Sequence, residues 1–378
     1  MDAKAILRTV DKEKGWLQET LRELVQQESP SEDRRAVNVA VDLVELWSRN
    51  MGARVRRHKQ HQFGDVLELR FGPKSSRHKP VLLLGHLDTV WPLGTLKTMP
   101  WRKAEGRLWG PGVLDMKAGV VMALVAVQTL QQLKLARPAI ILLNSDEEVG
   151  SIISRPITEK LAQECSAVLV LEPAQGLAYK TSRKGVGQYN VQVTGVGAHS
   201  GVDFERGHSA VLELAKLVQT ISGFTNLDQK LTVNCGVISG GTRSNVVPSL
   251  ASTEVDVRIA KASDAAYVDK LFRKLKVSDP HCKLIITGGI NRPPMERKSG
   301  TIALFKKASS LAAELGFTLE EASTGGGSDG NFTAALGIPT LDGMGAVGDG
   351  AHAAHESVVI EHLVPRTALL AAMIASIE

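Results

Sequence analysis

Three short apolar runs, Val81-Leu82-Leu83-Leu84, Ala139-Ile140-Ile141-Leu142-Leu143 and Ala167-Val168-Leu169-Val170-Leu171, each lead into groups able to bind a cation. The first is followed by Gly85-His86-Leu87-Asp88, the second by Asn144-Ser145-Asp146-Glu147-Glu148, and the third directly by Glu172. Apolar runs this short, without polar alternation, read as strands of a parallel sheet buried on both faces. Between the first two, Met116 to Leu133 carries Val120, Val121, Leu124, Val127 and Leu130 at the spacing of a core-facing helix. Strand–helix–strand alternation implies a right-handed βαβ unit in an α/β domain. In open sheets of this kind, ligands bind outside the carboxyl ends of the strands. Groups far apart in sequence are thereby predicted to meet at one rim.

At roughly 100–200 residues per domain, 378 residues suggest two or three domains. The segment Ile6 to Gln27 is predicted to form one amphipathic helix and Ser31 to Arg49 a second, with Ser31 as an imperfect cap. The pattern changes near Thr181. Gln188 to Thr194 alternates like a half-buried strand, and the order that follows is β-α-β-β-α-β, the split βαβ layout. After Asn291-Arg292-Pro293-Pro294 the chain returns to long helix and strand–loop patterns. The expected fold is thus an α/β domain built from residues 1–180 and 293–378, with a mixed, mainly parallel sheet and helices on both faces. A ferredoxin-like α+β domain, residues 181–292, is inserted into it.

Composition removes several alternatives. With 43% hydrophobic and 22% charged residues, the chain has the make-up of an ordinary folded protein. A net charge of +5 over this length is too thin an excess to argue for nucleic acid. The dense basic stretch Arg54-Val55-Arg56-Arg57-His58-Lys59 reads as a solvated surface strand or loop. Cys165, Cys235 and Cys282 are too scattered for a disulfide framework or a metal motif and are expected as buried free thiols. No apolar signal core opens the chain, and no uninterrupted apolar run approaches the ~18–20 residues of a membrane span. The expectation is a soluble cytoplasmic protein that binds neither nucleic acid nor membrane.

Two further residues join the strand-end groups: Asp115, after Trp109-Gly110-Pro111-Gly112-Val113-Leu114, and His352, in a Gly-rich stretch. Imidazole and carboxylate are the ligands zinc takes when no thiolates are offered. One carboxylate can bridge two ions about 3.5–4 Å apart. Two divalent ions bring four positive charges, and the carboxylates of Asp115, Glu148 and Glu172 cancel three, leaving room for a hydroxide nucleophile. Adjacent residues such as Glu147 and Glu148 point in different directions, so one can bind metal while the other faces water. Taken singly, each group has a plain explanation: a surface or satisfied core histidine, an aspartate N-cap at position 115, solvated loop charge at 147–148. Their shared position at strand ends is harder to explain by packing.

The blocks Gly85-His86-Leu87-Asp88-Thr89-Val90, Gly110-Pro111-Gly112-Val113-Leu114-Asp115-Met116-Lys117-Ala118-Gly119 and Asp146-Glu147-Glu148-Val149-Gly150-Ser151 resemble the signatures of the M20 zinc peptidases. The resemblance spans essentially the whole chain, in order. It implies two zinc ions per subunit, with cobalt or manganese as workable substitutes. His86 and Glu172 would hold one ion, Glu148 and His352 the other, and Asp115 would bridge them. Glu147 would be the general base, Asp88 would hydrogen-bond the far nitrogen of His86, and the Asp115–Met116 peptide would be cis. The insertion would be a lid and dimerisation domain. In it, His199 of Gly197-Ala198-His199-Ser200-Gly201 would stabilise the oxyanion in the partner subunit's site. Asn245 and Arg258 would grip a substrate carboxylate, and Gly327 and Ser328 would offer backbone donors. A turn histidine at 199 and a structural salt bridge at Arg258 remain alternatives. So does His355 as ligand, because His352-Ala353-Ala354-His355-Glu356 departs from the pattern of many relatives. Within the family, Glu172 rather than Asp resembles the carboxypeptidase, acetylornithine deacetylase or succinyl-diaminopimelate desuccinylase branches, and Arg183-Lys184-Gly185-Val186-Gly187 and Gly325-Gly326-Gly327-Ser328-Asp329-Gly330-Asn331 look most like the glutamate-carboxypeptidase branch. The implied activity is cleavage of an amide beside a free carboxylate in a small peptide or N-acyl amino acid, by a homodimer. An N-acyl-amino-acid deacylase or dipeptidase is the nearest rival, and a noncatalytic binding protein of the same fold a more distant one.

Overall fold

The computed structural model describes residues 2–73 and 76–377. The chain forms two compact units, one of residues 1–182, 297–324 and 328–378, the other of residues 183–296 with 325–327.

In the first unit the three apolar runs are the parallel strands Val81–His86, Ala139–Asn144 and Ala167–Val170, with Val81–His86 between the other two. Val66–Phe71 and then Arg54–His58 continue the sheet antiparallel beyond Ala139–Asn144, and Thr340–Leu341 continues it parallel beyond Ala167–Val170. Side chains alternate across a strand, so each central strand feeds two cores. Val81, Leu83, Ile141, Leu143 and Leu169 join one, shared with the helices Ala3–Lys12, Ala118–Gln132 and Ile360–Ser376. Leu82, Leu84, Ile140, Leu142, Val168 and Val170 join the other, under Leu161 and Ala162 of the helix Arg155–Glu164. This double burial accounts for the missing polar alternation. The helical stretch Val113–Gln132 is long and apolar enough to cross a membrane, but 89% of its most apolar window is buried inside the protein. From Ala118 to Val127 every residue is apolar and buried, as suits a helix packed on all sides.

Several local expectations are corrected. The segment from Ile6 to Gln27 is two helices, Ala3–Lys12 and Lys14–Val25, broken at Glu13 (φ −89°, ψ 3°), with the weak helix former Gly15 in the first turn of the second. The next helix starts at Arg34, not Ser31. Its cap is Asp33, whose carboxylate accepts the N–H groups of Arg35 (2.9 Å) and Ala36 (3.0 Å). The basic stretch is an edge strand, yet its inner side chains are paired rather than merely solvated. Arg57 binds Asp42 and Asp65, and His58 lies 2.8 Å from Glu68. All three cysteines are free, and Cys235 is only half-buried.

The second unit is an antiparallel sheet in the order Thr232–Gly240, Leu250–Ile259, Gly185–Thr194, Lys283–Arg292, with the helices Ala210–Ser222 and Asp264–Arg273. This is the ferredoxin-like order. Its core places Tyr189 flat on Phe272 (ring centroids 3.8 Å apart) among Val191, Val193, Leu214 and Leu217.

Candidate metal centre

His86 ends the central strand, in register with Asn144. Glu147 and Glu148 follow Asn144 in the next loop, and Glu172 lies just beyond Val170. Asp115 sits in the turn Val113–Lys117, where φ −111° and ψ 93° take it out of helical geometry. The peptide Asp115–Met116 is cis. Asp115 is therefore not a helix N-cap; its carboxylate is turned toward the imidazoles. His352 arrives on a turn in which its own backbone is left-handed (φ 62°), a conformation uncommon outside glycine.

His86 Nε2 lies 3.3 Å from Asp115 Oδ1 and 3.7 Å from Glu172 Oε1. His352 Nε2 lies 3.2 Å from Asp115 Oδ2 and 3.2 Å from Glu148 Oε2. Each oxygen of Asp115 thus faces a different imidazole. Ligand atoms of His86, Asp115 and Glu148 lie within 4.8 Å of one another, and so do those of His86, Glu147 and Glu172. The adjacent glutamates accordingly take different neighbours. It is His352, not His355, that meets these carboxylates. His86 Nε2 and Asp115 Oδ1 are buried and make no hydrogen bond. Buried polar atoms are rarely left so, and an imidazole nitrogen facing carboxylate oxygens fits a cation held between them.

The charges agree. Burial disfavours a charged His86, but its contacts with Asp115 and Asp88 outweigh burial and raise its pKa well above the usual imidazole value. Contacts with Asp115 and then Glu148 push His352 up to about 10. At Asp115 burial is overcome by His352 and His86, and the pKa is depressed. The pocket favours positive charge, whether protons or metal.

Asp88 acts differently from the sequence expectation. His86 Nδ1 donates chiefly to the main-chain carbonyl of Asp88 at 2.9 Å, with carboxylate Oδ1 further off at 3.5 Å. The carboxylate is otherwise engaged: it accepts the N–H groups of Glu147 and Glu148 (3.2 Å each) and the hydroxyl of Ser31 (2.7 Å). Nδ1 is thereby kept protonated, and Nε2 is the nitrogen that faces the site, with a lone pair to offer once its own proton is displaced. Ser31, read from the sequence as a cap, is a support for Asp88; no local pattern marks it. Lys117 lies in the same turn as Asp115. It is fully buried, donates to the carbonyl of Gln27 at 2.7 Å, and burial brings its pKa down to about 8 despite Glu356 and Glu28.

In the second unit, His199 and Asn245 share one ribbon: Ala198–His199 pairs with Val246–Val247, and Ser200 N–H donates to the Asn245 carbonyl (3.0 Å). His199 is exposed, and its Nδ1 accepts the N–H of Gly201 (3.1 Å), which assigns the proton of a neutral ring to Nε2. Arg258 is forked onto Asp256 (2.9 and 2.8 Å), so its salt bridge exists. The Gly327 carbonyl accepts from Arg183 at 3.0 Å, and a Cβ there would come within 2.8 Å of Val186. In the first unit, Ser328 N–H is spent on Asn331 (3.0 Å) and its hydroxyl on Asp342 (2.6 Å). Ser328 therefore has no backbone donor to offer, contrary to expectation.

Residues 82–376 match the model of Peptidase family M20/M25/M40. The chain is 30% identical over 364 residues to carboxypeptidase G2 of Pseudomonas sp. (strain RS-16), covering 93% of this chain and 87% of that protein. It is 28% identical over 218 residues to acetylornithine deacetylase of Myxococcus xanthus, covering 54% and 56%. The fold is that of a tripeptidase from Staphylococcus aureus subsp. aureus Mu50, with TM-score 0.81 at 20% identity over 96% of this chain and 98% of that one. With the histidine–carboxylate cluster at the strand ends, these matches make the chain a member of peptidase family M20/M25/M40, a family of metal-dependent hydrolases.

Proposed function

We propose that the protein is a two-zinc amidohydrolase that releases a C-terminal amino acid, glutamate or a similar residue, from a small peptide or N-acyl amino acid. The observation that carries this reading is the division of Asp115, one oxygen toward His86 and the other toward His352, as a bridging carboxylate requires. His86 and Glu172 would hold one ion and Glu148 and His352 the other. Bound there, the ions would supply Lewis acidity toward the scissile carbonyl and make a water acidic enough to attack at neutral pH. Glu147 would take the proton from that water and return it to the departing amine, the role for which its place beside His86 and Glu172 suits it. The Nε2–H of His199 would donate to the oxyanion. Asn245 and Arg258 would receive the substrate carboxylate, Arg258 by exchanging its Asp256 partner for a bidentate grip. Gly327 would line the same subsite.

The preference for a carboxypeptidase rests on the relative matched over most of its length; a deacylase or dipeptidase using the same groups is the second reading. A panel of folate-type, dipeptide and acetyl-amino-acid substrates decides between them, since release of acetyl groups alone would favour the deacylase. For the chemistry itself, Glu147→Gln is expected to keep about two equivalents of metal per chain and to lose about 10²–10⁴ in kcat. Wild-type turnover in the fully loaded variant would overturn the assigned base.

A homodimer through the second unit is part of this reading. Strand Thr232–Gly240 lies at a sheet edge with Val237 and Ile238 more than half exposed, and Leu212 of the helix Ala210–Ser222 is exposed as well. Free cysteines suit a reducing compartment, which supports a cytoplasmic location.

A further inference from the structure

One fully buried carboxylate near this centre, that of Glu356, is not one of its candidate ligands. Glu356 follows His352 by one turn and is 0% exposed. Its Oε2 accepts the indole N–H of Trp91 (2.7 Å) and the N–H of Gly112 (2.9 Å); its Oε1 accepts the N–H groups of Leu114 (2.8 Å) and Asp115 (3.0 Å). A carboxylate has about four lone-pair sites, and here each has a donor. Burial raises the pKa of this group, while the main-chain and indole donors act against that rise.

The donors belong to two segments and the acceptor to a third. Trp91 lies on the loop that leaves His86 and Asp88, and Gly112 to Asp115 form the turn that presents Asp115. Glu356 itself closes the turn that carries His352, with its own N–H on the carbonyl of Ala353 (2.9 Å). Converging main-chain N–H groups make a cradle for an anion. Only an ionised carboxylate can accept from all of them, because an amide would turn its own NH₂ toward one pair of donors.

We propose that Glu356 is a positioning residue for the ion site, its carboxylate joining the segments that carry His86, Asp115 and His352 so that their ligand atoms are held in place before an ion arrives. The inference rests on the two-ion reading above. It predicts that Glu356 acts through ligand placement, a role that loss of an outer hydrogen-bond partner typically reveals as a 10–100-fold fall in metal affinity.

The test is Zn²⁺ affinity, measured by competition with a chromophoric chelator at a temperature where circular dichroism shows each metal-free variant fully folded. Glu356→Gln is expected to bind Zn²⁺ about 10–100-fold more weakly than wild type. Wild-type affinity in the folded variant would reduce Glu356 to a structural residue and overturn the proposal. Should Glu356→Gln fail to fold, Trp91→Phe decides instead, since it deletes one donor and keeps the carboxylate. A several-fold loss supports the proposal and an unchanged affinity overturns it. His352→Ala separates the two levels. If it binds Zn²⁺ as tightly as wild type, the ion-site reading fails. If it binds weakly while Glu356→Gln does not, only the positioning role fails.

Discussion

Asp115 shows how the fold divides one carboxylate between two tasks. Its backbone N–H is held by Glu356 while its oxygens face His86 and His352. Without metal, the carboxylates find their counter-charge in the imidazoles. His352 has a folded pKa of about 10 against an ordinary value of 6.5. A raised histidine pKa stabilises the fold fully below pH 6.5, and that contribution is lost as pH rises through about 10. In thermal melts of chelator-treated protein, the Tm advantage of wild type over His352→Ala is therefore expected to shrink from pH 6 to pH 10. A difference independent of pH would contradict the assignment. With metal present the order of competition is clear: ions displace these protons, so Zn²⁺ affinity should weaken as pH falls. At this scale the members of the cluster were legible in the sequence, because histidine and carboxylate at strand ends are chemically distinctive. Ser31, Trp91 and Glu356 were not, because their roles depend on partners 57, 265 and 244 positions away.

Among the elements, the core helix Ala118–Gln132 fixes the segment that carries Glu172 by close approach. A Cβ on Gly119 would lie 2.1 Å from the carbonyl oxygen of Leu171, and one on Gly345 would lie 2.2 Å from the same atom. The residue next to Leu171 is Glu172, so the strand end is gripped by backbone from two sides. Gly119→Ala must push the helix or the strand end aside; a destabilisation of about 1–3 kcal/mol is expected, together with weakened metal binding through Glu172. Denaturant titration and metal competition on the same variant check both parts. The sequence predicted this helix because its apolar spacing is strong. It did not predict the break at Glu13 or the cap at Asp33, since helix ends turn on one or two hydrogen bonds that periodicity does not encode.

For the whole molecule, the proposed homodimer would form at the edge strand Thr232–Gly240. An unpaired edge with exposed apolar side chains invites pairing with another chain. Ile238→Lys places a charge there. The variant is expected to sediment as a monomer with full metal content, and with lowered kcat if His199 serves the partner's site. A dimer that persists would place the interface elsewhere.

The sequence by itself determined the α/β class, the inserted ferredoxin-like layer and the residue types of the histidine–carboxylate cluster, since these follow from local periodicity and residue type. Only tertiary structure decided that Asp88 holds the Glu147–Glu148 turn, that His352 rather than His355 meets the carboxylates, and that Arg258 rests on Asp256. Those outcomes depend on which donors reach which acceptors after the strands have packed. Hydrogen bonding acts over about 3 Å, a distance that sequence spacing cannot specify.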